Sequence, residues 1–130
     1  MKRLTLTLGL LALAAVLAAC SGASAAPPAG TPAPAATLVP AGGTATIVAK
    51  DLKFTTPTIA VTAGSPFTIA FDNQESAPHN VAISGPSGSV YKGEIVSSTK
   101  VDYAVPALSA GTYTFICEVH PDMKGTITAQ

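Results

Sequence analysis

From Thr44 to the C-terminus, apolar residues recur at every second position over short runs that Gly and Pro interrupt. This is the pattern of half-buried strands in an all-β sandwich. Thr44 to Phe54 and Thr58 to Thr62 are expected as the first strands, with Ala63-Gly64-Ser65 as a turn. Across Pro66 to Asp72, Phe67, Ile69 and Phe71 share one face, and Thr68 and Ala70 the other. His79, Val81 and Ile83 share a parity opposite to Asn80 and Ala82, so if Val81 and Ile83 face the core, His79 points inward at its rim. Ser84 to Gly93 reads as a loop carrying Tyr91, and Lys100 to Val105 alternates again, with Val101, Tyr103 and Val105 on the apolar face. After an Ala110-Gly111 turn, Tyr113, Phe115 and Cys117 fall on one face of a strand, which makes Cys117 its inward end. His120 and Met123 sit on the following loop, and Lys124 to Ala129 returns as the closing strand. About seven or eight strands fit between residues 44 and 130 at ordinary strand lengths. No helix is expected there beyond a turn near 91 to 98.

The first 43 residues follow a different pattern. Met1-Lys2-Arg3 is a positive start, and Leu4 to Leu17 is an apolar run of 14 residues. That is short of the roughly 20 apolar residues a spanning helix needs and suits an export signal over 1–19. The run ends in Leu17-Ala18-Ala19-Cys20, which resembles a bacterial lipobox and implies cleavage before Cys20 with lipid on its sulfur and new amino group. An ordinary signal cut after Ala25 or Ala26 is the alternative. Both export the protein, and neither leaves Cys20 free to hold a metal. Ser21 to Gly43 contains five prolines and no apolar periodicity, so residues 20–43 read as a tether that cannot offset its ordering entropy. Extended, it reaches up to roughly 60–70 Å.

Composition narrows the field. The chain of 130 residues has room for one domain, over 44–130. Its seven basic and seven acidic residues balance, and without Lys2 and Arg3 the remainder is near −2. A basic nucleic-acid footprint is therefore excluded. Cys20 and Cys117 are the only cysteines. With Cys20 consumed by processing, Cys117 is an unpaired thiol on an exported protein, an oxidation liability unless a metal holds it.

Cys117-Glu-Val-His120-Pro-Asp-Met123 places a thiol, an imidazole and a thioether in one short loop, and His79 is the only other histidine. Singly, each has a bland reading: a rim histidine, a small buried hydrophobe, a gap-filling methionine. Jointly they make a metal site. Zinc prefers four strong tetrahedral ligands and rarely takes a thioether. Two His and one Cys with a weak axial Met is the blue-copper arrangement. A dinuclear purple centre needs a second Cys in the loop, and multicopper oxidase chemistry needs several more His; both are lacking.

Thr112-Tyr-Thr-Phe-Ile-Cys-Glu-Val-His-Pro-Asp-Met-Lys-Gly-Thr-Ile resembles the copper-binding end of the cupredoxins, nearest to their amicyanin and plastocyanin-like branch, and Ala77-Pro78-His79-Asn80-Val81 resembles that family's first ligand segment. The resemblance covers about residues 44 to 130. It implies a Greek-key β-sandwich, one type 1 copper per chain and one-electron transfer rather than enzymatic catalysis. It further implies His79, Cys117 and His120 as equatorial ligands and Met123 as the axial one. On that match the Asn80 N–H donates to the Cys sulfur and its side chain ties the two ligand loops together. One departure stands out: the branch often has Pro two residues after Cys, where this chain has Val119. Its free N–H could donate a second bond to sulfur and raise the reduction potential.

The function expected is an electron carrier at the cell envelope, exported and lipid-anchored. It would be monomeric and meet redox proteins such as a cytochrome or a copper oxidoreductase in brief encounters. Pro78, Pro121 and Ala77 would form an apolar docking surface around His120. Glu118 and Asp122 either steer a cationic partner or are ordinary solvated charges offset by Lys124. The competing reading is a copper chaperone or buffer handing on Cu(I). Such sites tend to be open and Met- or His-rich, whereas this chain has two Met, one the initiator.

Overall fold

Inward-facing side chains from two sheets meet in one apolar layer, and the alternation along each strand decides which residues enter it. The computed structural model describes residues 36–130. The expected signal segment, Cys20 and most of the spacer lie outside them. Ten strands follow in order: β1 (Leu38–Val39), β2 (Thr44–Lys50), β3 (Lys53–Phe54), β4 (Thr58–Val61), β5 (Phe67–Asn73), β6 (Ala82–Gly85), β7 (Gly88–Lys92), β8 (Lys100–Val105), β9 (Gly111–Ile116) and β10 (Lys124–Ala129). Six form a sheet in the order β1-β4-β10-β9-β6-β7, and four form a second in the order β3-β2-β5-β8. β4 runs parallel to both β1 and β10, and β2 runs parallel to β5. Among the described residues there is no helix.

Strand β5 buries Phe67, Ile69, Phe71 and Asn73 while Thr68, Ala70 and Asp72 stay half-buried. Ile47, Ile69 and Phe71 of one sheet and Ile83, Phe115 and Ile127 of the other are fully buried. Phe54 crosses between the sheets, its ring 5.3 Å from that of Phe115 and 6.4 Å from that of Phe71. Truncating a core aromatic of this kind costs about 3–5 kcal/mol.

The all-β sandwich stands, with ten strands in place of seven or eight. The expected strand Thr44 to Phe54 breaks at Asp51 and Leu52, whose φ values are 54° and 55°. Positive φ at both central residues makes a tight hairpin turn, with Lys50 opposite Lys53. The expected loop from Ser84 to Gly93 contains β7, which pairs back onto β6 with a bulge between Ile83 and Ser84. Its Gly- and Ser-rich composition hid it. β1 falls inside the segment expected to be spacer, because two apolar residues carry no periodicity. It is held by backbone pairing, with the Thr62 N–H and hydroxyl both donating to the Val39 carbonyl.

Gly125 is required by close approach. A Cβ there would meet the Phe115 ring at 2.2 Å and the Pro57 carbonyl at 2.7 Å. Gly125→Ala is expected to lower the stability of the metal-free protein by about 1–3 kcal/mol through overpacking. Urea denaturation measures it, and an unchanged midpoint would show that this contact relaxes freely.

Candidate metal centre

Strand β9 delivers Cys117 by simple alternation: Tyr113, Phe115 and Cys117 are all buried, and Thr114 between them is exposed. The loop then turns back at once, since β9 and β10 remain paired up to Ile116 and Lys124. Two backbone bonds close it: the Cys117 N–H donates to the Met123 carbonyl at 3.0 Å, and the Met123 N–H to the His120 carbonyl at 2.9 Å. Met123 thus ends the turn and buries its side chain in the same core cluster as Cys117. His79 comes from the connection between β5 and β6. It is clamped by a two-way bridge with Val96, each N–H donating to the other's carbonyl at 2.9 Å. Asn73 fixes the same connection, its amide donating to the Ala77 and Val96 carbonyls, both at 2.8 Å.

The two segments bring three donor atoms together. His79 Nδ1 lies 3.1 Å from His120 Nδ1 and 3.5 Å from Cys117 Sγ, and Sγ lies 3.9 Å from His120 Nδ1. A point equidistant from all three is about 2.0 Å from each, within the roughly 2.0–2.3 Å at which imidazole nitrogen and thiolate sulfur hold a transition metal. One ion fits. His79 and Cys117 are fully buried, and His120 is half-exposed. Burial first, then the neighbouring His120, holds the His79 imidazolium pKa below its ordinary value and outweighs the opposing Glu75. His79 is therefore neutral at pH 7, as a metal ligand must be.

Asn80 joins the two ligand segments. Its side-chain oxygen accepts the Glu118 N–H at 3.0 Å, and its amide donates to the Gly93 carbonyl at 3.0 Å and to Glu118 Oε2 at 2.8 Å. Gly93 has no side chain for a reason: a Cβ would meet the Tyr103 ring at 2.8 Å. The other Glu118 oxygen pairs with Lys92 Nζ at 2.9 Å. Hydrogen bonds from Lys92 and then Asn80 hold the Glu118 carboxyl below the usual carboxylate range. So Glu118 is engaged by Lys92 rather than offset by Lys124, and Asp122 is the exposed acid beside His120. Val119 is 40 % exposed next to His120; Pro78 and Pro121 are also exposed, and Ala77 is half-buried.

Glu75, Asn73 and Lys92 were not singled out by sequence. In an irregular connection, spacing carries no contact information, so no local signal marks them. A surface cavity lies elsewhere, between Leu38, Val39, Thr44, Thr58 and Ile59, and no titratable side chain lines it.

A family model described as "Cupredoxin-like domain" matches residues 9–129. The chain is 42 % identical over 122 residues to amicyanin-alpha of Methylorubrum extorquens, covering 92 % of this chain and 98 % of that one. A solved Cu(I) form of a methionine variant of amicyanin superposes with a TM-score of 0.53 at 29 % identity, over 65 % of this chain and 80 % of the other. Auracyanin A of Chloroflexus aurantiacus, a "blue" copper protein, matches at a TM-score of 0.60 and 22 % identity, over 70 % and 99 % of the two chains; it bears on fold alone.

Asn80→Ala strands the Glu118 N–H and the Gly93 carbonyl. It is expected to cost on the order of 2–3 kcal/mol and to speed amide exchange at Glu118. Hydrogen exchange on the metal-free protein checks this; protection equal to wild type would show that the cross-link contributes nothing.

Proposed function

The chain belongs to the cupredoxin-like family, and we propose that it is an extracytoplasmic electron carrier holding one type 1 copper on His79, Cys117, His120 and Met123. The observation that carries this reading is the triangle of His79 Nδ1, Cys117 Sγ and His120 Nδ1, with sides of 3.1, 3.5 and 3.9 Å. Copper bound there supplies a one-electron couple between Cu(I) and Cu(II). The protein is a carrier and not an enzyme.

The residues divide the task. His79 and Cys117, fully buried, keep water from the donors and hold their positions through strands packed on both sides. Asn80 restrains the movement of one ligand segment against the other. His120 lies half-exposed at the rim, so its edge is the short route between the site and a partner. Pro78, Pro121, Ala77 and Val119 surround that edge with uncharged surface. Weak redox encounters bury little area, which suits a partner such as a cytochrome or a copper oxidoreductase that must leave quickly. With Glu118 tied to Lys92 and Asn80, Asp122 is left as the acid free to steer it.

Export and lipid attachment at Cys20 complete the reading, supported by the Leu17-Ala18-Ala19-Cys20 motif. A copper chaperone or buffer is disfavoured, because two of the three strong donors are closed to exchange with a partner's ligands.

Copper-loaded protein is expected to show intense visible absorption from thiolate-to-copper charge transfer, absent in Cys117→Ser. A colourless, readily exchanged Cu(I) site, measured by competition with a chelator, would favour the chaperone instead. If the Val119 N–H donates to the sulfur of the loaded site, Val119→Pro removes that bond and is expected to lower the reduction potential by up to the ~59 mV of a tenfold change. Voltammetry giving an unchanged or higher value would remove Val119 from the account.

A further inference from the structure

Glu118 puts a carboxylate one residue from the sulfur of the proposed copper site. Both of its oxygens are engaged: Oε2 accepts the Asn80 amide at 2.8 Å, and Oε1 meets Lys92 Nζ at 2.9 Å. Lys92 belongs to neither ligand segment. It ends β7, the outermost strand of the six-stranded sheet, and pairs with Ala82 of β6. We infer that Lys92 is a positioning residue for the metal centre: its ammonium holds the Glu118 carboxylate in a ring of bonds spanning both ligand segments, and offsets the negative charge that the chain puts next to Cys117. This rests on the copper reading.

The ring passes through three stretches of chain. Asn80 follows His79, and Glu118 follows Cys117. Asn80 and Glu118 bond each other twice, since Asn80 Oδ1 also accepts the Glu118 N–H at 3.0 Å. The same Asn80 amide donates to the Gly93 carbonyl at 3.0 Å, and the Gly93 N–H donates to the Val81 carbonyl at 2.9 Å. Lys92, beside Gly93, closes the circuit back to Glu118. The end of β7 is itself fixed on the core. Gly93 lies against the Tyr103 ring, which meets the Tyr91 ring at 6.0 Å and stacks on Phe71 at 5.6 Å. The Tyr103 hydroxyl donates to the Glu94 carbonyl. Residues on both sides of Lys92 thus pack on one buried ring. Its backbone is held, while its side chain, 66 % exposed, reaches Glu118 along the surface.

The chemical consequence has a sign. An anion near the site favours Cu(II), the ion of higher charge, and lowers the reduction potential; a cation does the reverse. With both present the two fields oppose. Removing Lys92 leaves the carboxylate uncompensated and lowers the potential, and removing the Glu118 charge raises it. Salt screens exposed charges over about 8–10 Å at ordinary ionic strength, so each imbalance fades as salt is added.

Lys92→Met, Lys92→Arg, Glu118→Gln and the double variant Lys92→Met/Glu118→Gln are compared by voltammetry at low and high salt. Lys100→Met is the control, because Lys100 pairs with Asp72 at 3.0 Å and its loss changes the net charge equally. Lys92→Met is expected to shift the ratio of Cu(II) to Cu(I) affinity by about two- to fivefold, the range of exposed ion pairs. The potential falls accordingly, at about 59 mV per tenfold, and salt returns it towards wild type. Lys92→Arg keeps the wild-type value. Glu118→Gln raises the potential, salt lowers it again, and the double variant returns close to wild type. In the metal-free protein, amide exchange at Glu118 is expected to quicken in Lys92→Met and not in Lys92→Arg. The inference is overturned if Lys92→Met keeps the wild-type potential and salt dependence, if Lys100→Met moves both as far, or if Lys92→Met leaves Glu118 exchange unchanged. Should Lys92→Met not fold, a potential that Glu118→Gln leaves unchanged or lowers overturns it. Failure of the wild type to colour with copper sinks the electron-carrier reading instead, and exchange in the metal-free protein still decides whether Lys92 holds Glu118.

Discussion

Two imidazoles and a thiol face one another across 3.1 to 3.9 Å, and such a group of donors does not assemble by itself. Lone pairs directed at one point repel, and two of the three side chains have left water entirely. Burying polar groups without full compensation is costly, so the cost must be met by folding elsewhere. The aromatic layer between the sheets supplies it. Phe115 is two residues from Cys117 on the same strand and packs on Phe54 at 5.3 Å. The strand that carries the sulfur is thereby one of the most firmly held in the molecule.

The loop after that strand has little freedom. Strands β9 and β10 stay paired up to its ends, and its closing bonds from Cys117 to Met123 and from Met123 to His120 leave one compact turn. Asn80 then joins that turn to the His79 segment through the Glu118 N–H. A scaffold so cross-linked changes shape little when the charge at its centre changes, the property a fast electron carrier requires. The two histidines play different parts within it. His79 is enclosed, its backbone bridged to Val96 and its connection held by Asn73; His120 lies half-exposed at the rim. Pairing of Glu118 with Lys92 leaves Asp122 as the exposed acid beside His120.

Much of this was legible in the chain. Strict alternation in Phe67-Thr-Ile-Ala-Phe and in Tyr113-Thr-Phe-Ile-Cys reports which side chains a sheet will bury, because a strand has a period of two and only one face meets the core. The same rule put Cys117 and His79 on inward faces. The Cys117–Met123 loop is also local: its donors lie within seven residues, and their chemistry is readable from residue type. The strands that escaped notice were those without a pattern. β1 is two residues long, β7 follows a stretch of Ser, Gly and Pro that reads as loop, and the break at Asp51-Leu52 depends on positive φ that neither residue type announces strongly.

What tertiary structure alone decided were contacts between distant positions in irregular backbone. That the nitrogen of residue 79 lies 3.5 Å from the sulfur of residue 117 depends on how β6 pairs with β9, a register that no stretch of sequence contains. Lys92 meeting Glu118 and Asn73 reaching the Val96 carbonyl are likewise contacts between positions more than 20 residues apart. Residue type determined what chemistry was available, since lone pairs and softness belong to side chains. Sheet register decided which of those side chains share a few cubic ångströms, because distance in space is set by pairings summed over the whole sandwich.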